Sequence, residues 1–215
     1  TADVDNLAPE IRLGKQIFYD ASDPRMSAES YISCASCHID GGTDERIWDF
    51  TGRGEGFRRT PSLRGRGGMA HGNVHWSGNF DEIQDFEHDI RGPFGGEGFI
   101  VDPDFESNHP GPSSVKAGLS PELDALAAYV SSLDQGSLPK SPFRSPDGEL
   151  TPSAVAGKML FDAMDCRSCH AGDELTNSPL TGISSPVLSN VGTLTGFSGQ
   201  RLGAGPLEGV DVPTL

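Results

Sequence analysis

The sequence predicts an all-α fold built from two small helical units related by duplication, rich in loops, with the second unit incomplete. Three observations predict it. A Cys-x-x-Cys-His motif occurs twice, each time behind a Gly-Lys-x-x-Phe segment. Apolar residues around those segments recur near helical spacing. The chain also carries 28 glycines and 16 prolines in 215 residues, which favours short helices joined by long ordered loops. Such loops need something large and apolar to pack on.

The first helix is expected around Gly14-Lys15-Gln16-Ile17-Phe18-Tyr19-Asp20, with Pro9 upstream as a helix start and Ile11, Ile17 and Phe18 on one side. Its echo is Gly157-Lys158-Met159-Leu160-Phe161-Asp162, with Pro152 upstream and Val155, Met159 and Leu160 as the apolar set. A second echo follows each cysteine motif: Thr60-Pro61-Ser62-Leu63 and Val212-Pro213-Thr214-Leu215. The first unit continues with a helix near Asn79 to Ile90 and another from Ser120 to Leu133. In the latter, Ser120 is the N-cap, Pro121 the first-turn residue, and Leu123, Leu126, Ala127, Val130 and Leu133 one apolar stripe. Its place in the unit suits a closing helix that crosses the helix before the motif. Residues 134–153 are rich in Pro, Ser and Gly and read as a linker. The expected organisation is therefore 1–133, linker 134–153, and 154–215. The second unit has no closing helix, so the expectation is a fragment of a longer product.

The four cysteines decide the cofactor. They fall as Cys34-Ala-Ser-Cys37-His38 and Cys166-Arg-Ser-Cys169-His170, with none left over. This is the attachment pattern of c-type haem. Two thiols add to the haem vinyl groups, and the histidine that follows supplies the proximal imidazole. A zinc site would pair its Cys-x-x-Cys units about 15 to 20 residues apart, whereas Cys166 lies 129 positions beyond Cys37. Disulfides or redox dithiols would not require a histidine next. Two cytochrome c-like domains, each with one covalent haem c, are the expectation. Covalent haem attachment takes place outside the cytoplasm, so the protein is expected to be periplasmic or extracellular. The start, TADVDNLAPE, is acidic and polar where an export signal is basic and then apolar, so an exported protein would be represented by its mature form.

The formal net charge is −15 and the pI about 4.6. That argues against nucleic acid and anionic membranes as partners. It suits a basic redox partner, such as a small cytochrome. No apolar run approaches the roughly 18 residues of a membrane span.

The runs RLGKQIFYD, CASCH, RRTPSLRG, HWSGNFDEIQDFE and RGPF, with the second GKMLF, CRSCH and VPTL, resemble the di-haem cytochrome c peroxidase superfamily, which includes the MauG-type enzymes. The resemblance implies two helical haem domains facing a cleft. It implies that haem 1 meets hydrogen peroxide while haem 2 stores and passes electrons. The family's Phe-Trp-Asp-Gly-Arg segment is similar to His75-Trp76-Ser77-Gly78-Asn79, which makes Trp76 the implied electron relay. An acidic residue on the peroxide side corresponds to Glu97. An interdomain calcium is also implied, although Arg58-Arg59 replaces the family's Arg-Asn. Residues 39–59 contain neither His nor Met, so a distal group for haem 1 must come from elsewhere. The second haem's distal Met or Tyr follows Leu215 in family order.

GGMAHGNVHW, residues 67–76, offers that distal group. His75, next to the relay tryptophan, is the first candidate as distal ligand or acid–base group of haem 1, His71 the second and Met69 the third. A histidine merely hydrogen-bonded within its loop is the plainer alternative for each. His88 and His109 are expected at the surface, and Met159 and Met164 in the core. Two functions follow: peroxide reduction at haem 1, with His75, Trp76 and Glu97 taking part, or non-catalytic electron transfer by a cytochrome module within a larger extracytoplasmic protein.

Overall fold

A computed structural model describes residues 6–108, 111–178, 187–200 and 205–215. Six α-helices are present among them: α1 (Pro9–Tyr19), α2 (Cys34–Cys37), α3 (Glu87–Arg91), α4 (Asp104–Asn108), α5 (Pro121–Ser131) and α6 (Pro152–Ala163). The core is helical, but the all-α expectation is corrected. Helix makes up only 34% of the structure, and two antiparallel hairpins occur. β1 (Ile47–Asp49) pairs with β2 (Phe57–Arg59), and β3 (Leu188–Ser189) with β4 (Val210–Asp211). The reason is local. The long loops after each cysteine motif must satisfy their own backbone groups, and they do so by zipping into short ladders. Gly54 and Gly56, at φ 79° and 65°, provide the left-handed turn between β1 and β2. Each hairpin ends just ahead of a repeated element, β2 before Thr60-Pro61 and β4 before Val212-Pro213, so the duplication extends to the strands.

The core forms where α1 crosses α5. Ile17 and Phe18 of α1 pack with Leu123, Leu126, Tyr129 and Val130 of α5 and with Leu133 just beyond it. The Phe18 and Tyr129 rings meet edge-on at 5.1 Å. A Cβ on Gly14 would stand 1.8 Å from the Ala125 carbonyl oxygen, so only glycine lets the two backbones come this close. The Ser120 side chain accepts from the Leu123 N–H at 3.3 Å and caps α5. This is the closing helix expected from sequence. The expected helix at Asn79–Ile90 is shorter: a 3₁₀ turn at Ile83–Phe86 runs into α3.

Two expectations about single residues are corrected. Met159 and Met164 are 68% and 74% exposed, not core. No residue of α6 is buried, because among the described residues nothing packs on it as α5 packs on α1. His88 is half-buried between Phe80 and Phe105, not on the surface. His109 lies outside the described residues. No helix among the described residues is long and apolar enough to cross a membrane.

Candidate haem sites

α2 begins at Cys34 and ends at Cys37, held by a capping box between Ser33 and Ser36. This one turn puts both thiols on the same side of the helix. Cys34 and Ala35 pack against the main core. Burial pushes the Cys34 thiol up to about 12 and Cys37 to about 11. All four cysteines are free thiols.

His38 follows directly. Its Nδ1 lies 3.3 Å from the Gly42 carbonyl oxygen, reached because Asp40 and Gly41 take positive φ. Burial, the largest influence, pulls its pKa down to about 4. With the ring neutral and Nδ1–H given to the backbone, where Pro61 as well as Gly42 acts on the ring, Nε2 would be the nitrogen for a metal. The second motif repeats the device. His170 Nδ1 lies 2.9 Å from the Leu175 carbonyl oxygen, with Leu175 at φ 50°. Two free thiols beside an imidazole whose Nδ1 is held by a backbone carbonyl fit a c-type haem at each motif.

The 67–76 loop separates the sequence-derived candidates. His71 is 4% exposed, and among the described residues neither ring nitrogen meets hydrogen-bond geometry with a partner, although the Gly68 backbone lies near enough to act on the ring. Burial first, then the positive charge of Arg66, lowers its pKa to about 4. An orphaned neutral imidazole costs free energy unless something binds it. His75, in contrast, is fully engaged at φ 68°. Its Nδ1 is 2.9 Å from Asn79 Oδ1 and its Nε2 3.3 Å from Asp89 Oδ2. Its ring packs 4.1 Å from Phe80 and 4.9 Å from Phe86, and Asp89 is also ion-paired with Arg53. Met69 packs against the core cluster that also holds Cys34 and Ala35.

Trp76 joins the two repeats. Its indole Nε1 donates to the Arg59 carbonyl at 3.1 Å, and its own carbonyl accepts from the Asp211 N–H at 2.7 Å. Glu97 is not gathered with these residues. It is exposed and lines a shallow groove with Arg91, Asp102 and Phe105, on the face that carries the Pro24 carbonyl its N–H binds.

Sequence reasoning missed the buried polar residues around the loop. Glu55, 2% exposed, accepts from the Ser77 N–H at 2.9 Å. Lys116 and Asp85, both fully buried, pair at 2.6 Å and hold the 111–117 loop to the Ile83–Phe86 turn. An isolated lysine in PSSVKAG gives no periodic signal. His88 Nε2 is also buried without a partner.

Comparison with known proteins agrees with the motifs. The di-haem cytochrome c peroxidase family matches residues 8–98. The chain is similar to hydrazine synthase subunit gamma of Kuenenia stuttgartiensis, 31% identical over 198 residues. That match covers 89% of this chain and 50% of the relative, so the chain spans about half the length of the curated relative it matches. A chain in a xenon-pressurized hydrazine synthase structure from the same organism shares the fold. Its TM-score is 0.60 at 22% identity, covering 98% of this chain and 72% of that one.

Proposed function

We propose, for a chain whose residues 8–98 belong to the di-haem cytochrome c peroxidase family, that two covalent haems c carry electrons through it outside the cytoplasm. A haem-cytochrome role in electron transfer follows from the family itself. The observation that carries the finer reading is the repeated histidine device: His38 Nδ1 on the Gly42 carbonyl and His170 Nδ1 on the Leu175 carbonyl, each straight after a Cys-x-x-Cys pair. The haem, when bound, supplies a one-electron iron couple. The chain's residues do the rest. Cys34, Cys37, Cys166 and Cys169 tether it, and His38 and His170 are the proximal ligands. His71 would supply a second imidazole to the first haem, supported by its burial and its unsatisfied nitrogens. His75 is then a positioning residue, held by Asn79 and Asp89 behind Trp76. Trp76 relays electrons between the haems, supported by its bonds to both repeats.

Peroxide reduction at the first haem would require His71 not to hold the iron. The acidic surface suits a basic donor, such as a small cytochrome. The 31% identity over most of the chain supports a second reading: an electron-transfer subunit of a larger oxidoreductase assembly, of which hydrazine synthase is one named instance.

The test is the mass of the denatured protein together with a haem quantitation. Two haem increments per chain, lost singly when Cys34 with Cys37 or Cys166 with Cys169 are replaced by alanine, are the expected result. No covalent increment, or zinc in its place, would overturn the reading. Co-purification of the native protein with further subunits decides for the second reading, and a free monomer that turns over peroxide decides for the first.

A further inference from the structure

The chain holds 2 tryptophans, and their indole N–H groups have different partners. Trp76 donates to a peptide carbonyl, that of Arg59, which cannot take the proton. Trp48 donates to a carboxylate: its Nε1 lies 2.8 Å from Asp44 Oδ2, within reach of a proton transfer. An indole that loses an electron becomes a strong acid. A carboxylate placed there can accept the Nε1 proton and leave a neutral radical.

Asp44 is also joined to the first cysteine motif. Its backbone N–H donates to the Cys37 carbonyl at 2.9 Å. Its negative charge acts, after burial, to raise the Cys37 thiol. The surrounding loop fixes the carboxylate. Asp44 Oδ1 accepts from the Arg46 N–H at 3.0 Å, which leaves Oδ2 for the indole. On either side, Thr43 Oγ1 donates to the Thr60 carbonyl at 2.7 Å and the Thr60 N–H to the Arg46 carbonyl at 3.3 Å. Trp48 itself sits in the middle of β1, opposite Arg58. Two hydrogen bonds thus connect its ring to the residue that tethers haem 1.

We propose that Trp48 is a redox-active side chain that carries an oxidising equivalent between haem 1 and the surface of the protein, with Asp44 holding the indole proton meanwhile. The proposal rests on the reading of Cys34 and Cys37 as haem tethers. The step balances as follows. A one-electron oxidant takes an electron from the indole, and the Nε1 proton moves to Asp44 Oδ2. Reduced haem 1 then returns an electron to the indole, and the proton goes back to Nε1. The oxidant ends one electron richer and the haem 1 iron one electron poorer.

The test is flash oxidation of the haem-loaded, reduced protein, with the ruthenium tris-bipyridine complex and a cobalt(III) quencher as the oxidant. Trp48 is 37% exposed, so this small complex reaches it. Transient absorption is expected to show a neutral indole radical that decays as haem 1 is oxidised. Trp48→Phe, with unchanged haem spectra as the folding control, is expected to remove the radical and slow haem 1 oxidation by roughly tenfold or more. Asp44→Asn keeps an acceptor for the indole N–H but no base. It is expected to give the protonated radical instead and to abolish the slowing of radical formation in deuterated water. Haem 1 oxidised as fast in Trp48→Phe as in the wild type would overturn the proposal, as would a neutral radical in Asp44→Asn. A missing haem mass increment at Cys34 and Cys37 would instead remove the haem reading, and the proposal with it.

Discussion

The backbone N–H of Asp211 donates to the carbonyl of Trp76 at 2.7 Å, while the Trp76 indole donates to the carbonyl of Arg59. Arg59 and Asp211 occupy equivalent places, each immediately before a repeated Thr-Pro or Val-Pro element. One tryptophan is thus tethered to the same point of both repeats. Trp76→Phe keeps the backbone bond and removes the indole donor. It is expected to slow haem-to-haem electron transfer by roughly tenfold, the effect of a barrier about 1.4 kcal/mol higher, with unchanged absorption spectra. Stopped-flow reduction resolved at the two haems checks this.

The α1–α5 crossing should be the most sensitive point of the first repeat. Gly14→Ala puts a methyl into the Ala125 carbonyl, which is backbone and cannot yield, at an expected cost of about 3 kcal/mol. Leu126→Ala leaves a cavity and is expected to cost about 2–5 kcal/mol. Chemical denaturation of the haem-loaded variants measures both.

Asp211 should make stability depend on pH. Burial, only partly offset by Ser178 and Arg66, raises its carboxyl from 3.8 to about 7. The folded state then holds a proton that the unfolded state releases. Stability contributed by this group is fully present below pH 3.8, falls as pH rises, and is gone above about pH 7. Asp211→Asn is expected to flatten that part of the profile, as read by denaturation midpoints across the window.

The net charge of −15 sets the salt response. Reduction by a basic donor cytochrome is expected to slow as ionic strength rises, because exposed charges are screened beyond about 10 Å at 0.1 M salt. Rates flat across ionic strength would exclude electrostatic docking.

Much of the frame was legible in the sequence. Cys34 to His38 and Cys166 to His170 carry their chemistry in their spacing. α1 and α5 show helical periodicity and N-terminal prolines, and Ser120 caps as expected. The hairpins were not legible, because strands of two or three residues have no period to read. Periodicity marked Met159 and Met164 as apolar but says nothing of whether a neighbour covers them. The choice between His71 and His75 was hidden for a similar reason. Asn79 and Asp89 reach His75 only through the tertiary fold, and His71 is left orphaned only by what surrounds it. Glu97 was reached by alignment through a glycine-rich run, and the structure sets it on an outer groove.

Low-temperature EPR of the fully oxidised protein, beside the His71→Ala and His75→Ala variants, tests the central claim most directly. A low-spin ferric signal from haem 1 is expected in the wild type and in His75→Ala, assigned by comparison with a Cys166→Ala/Cys169→Ala variant that carries haem 1 alone. His71→Ala is expected to turn that signal high-spin. A haem 1 signal that stays low-spin in His71→Ala, or that is already high-spin in the wild type, would contradict the assignment of His71 to the iron.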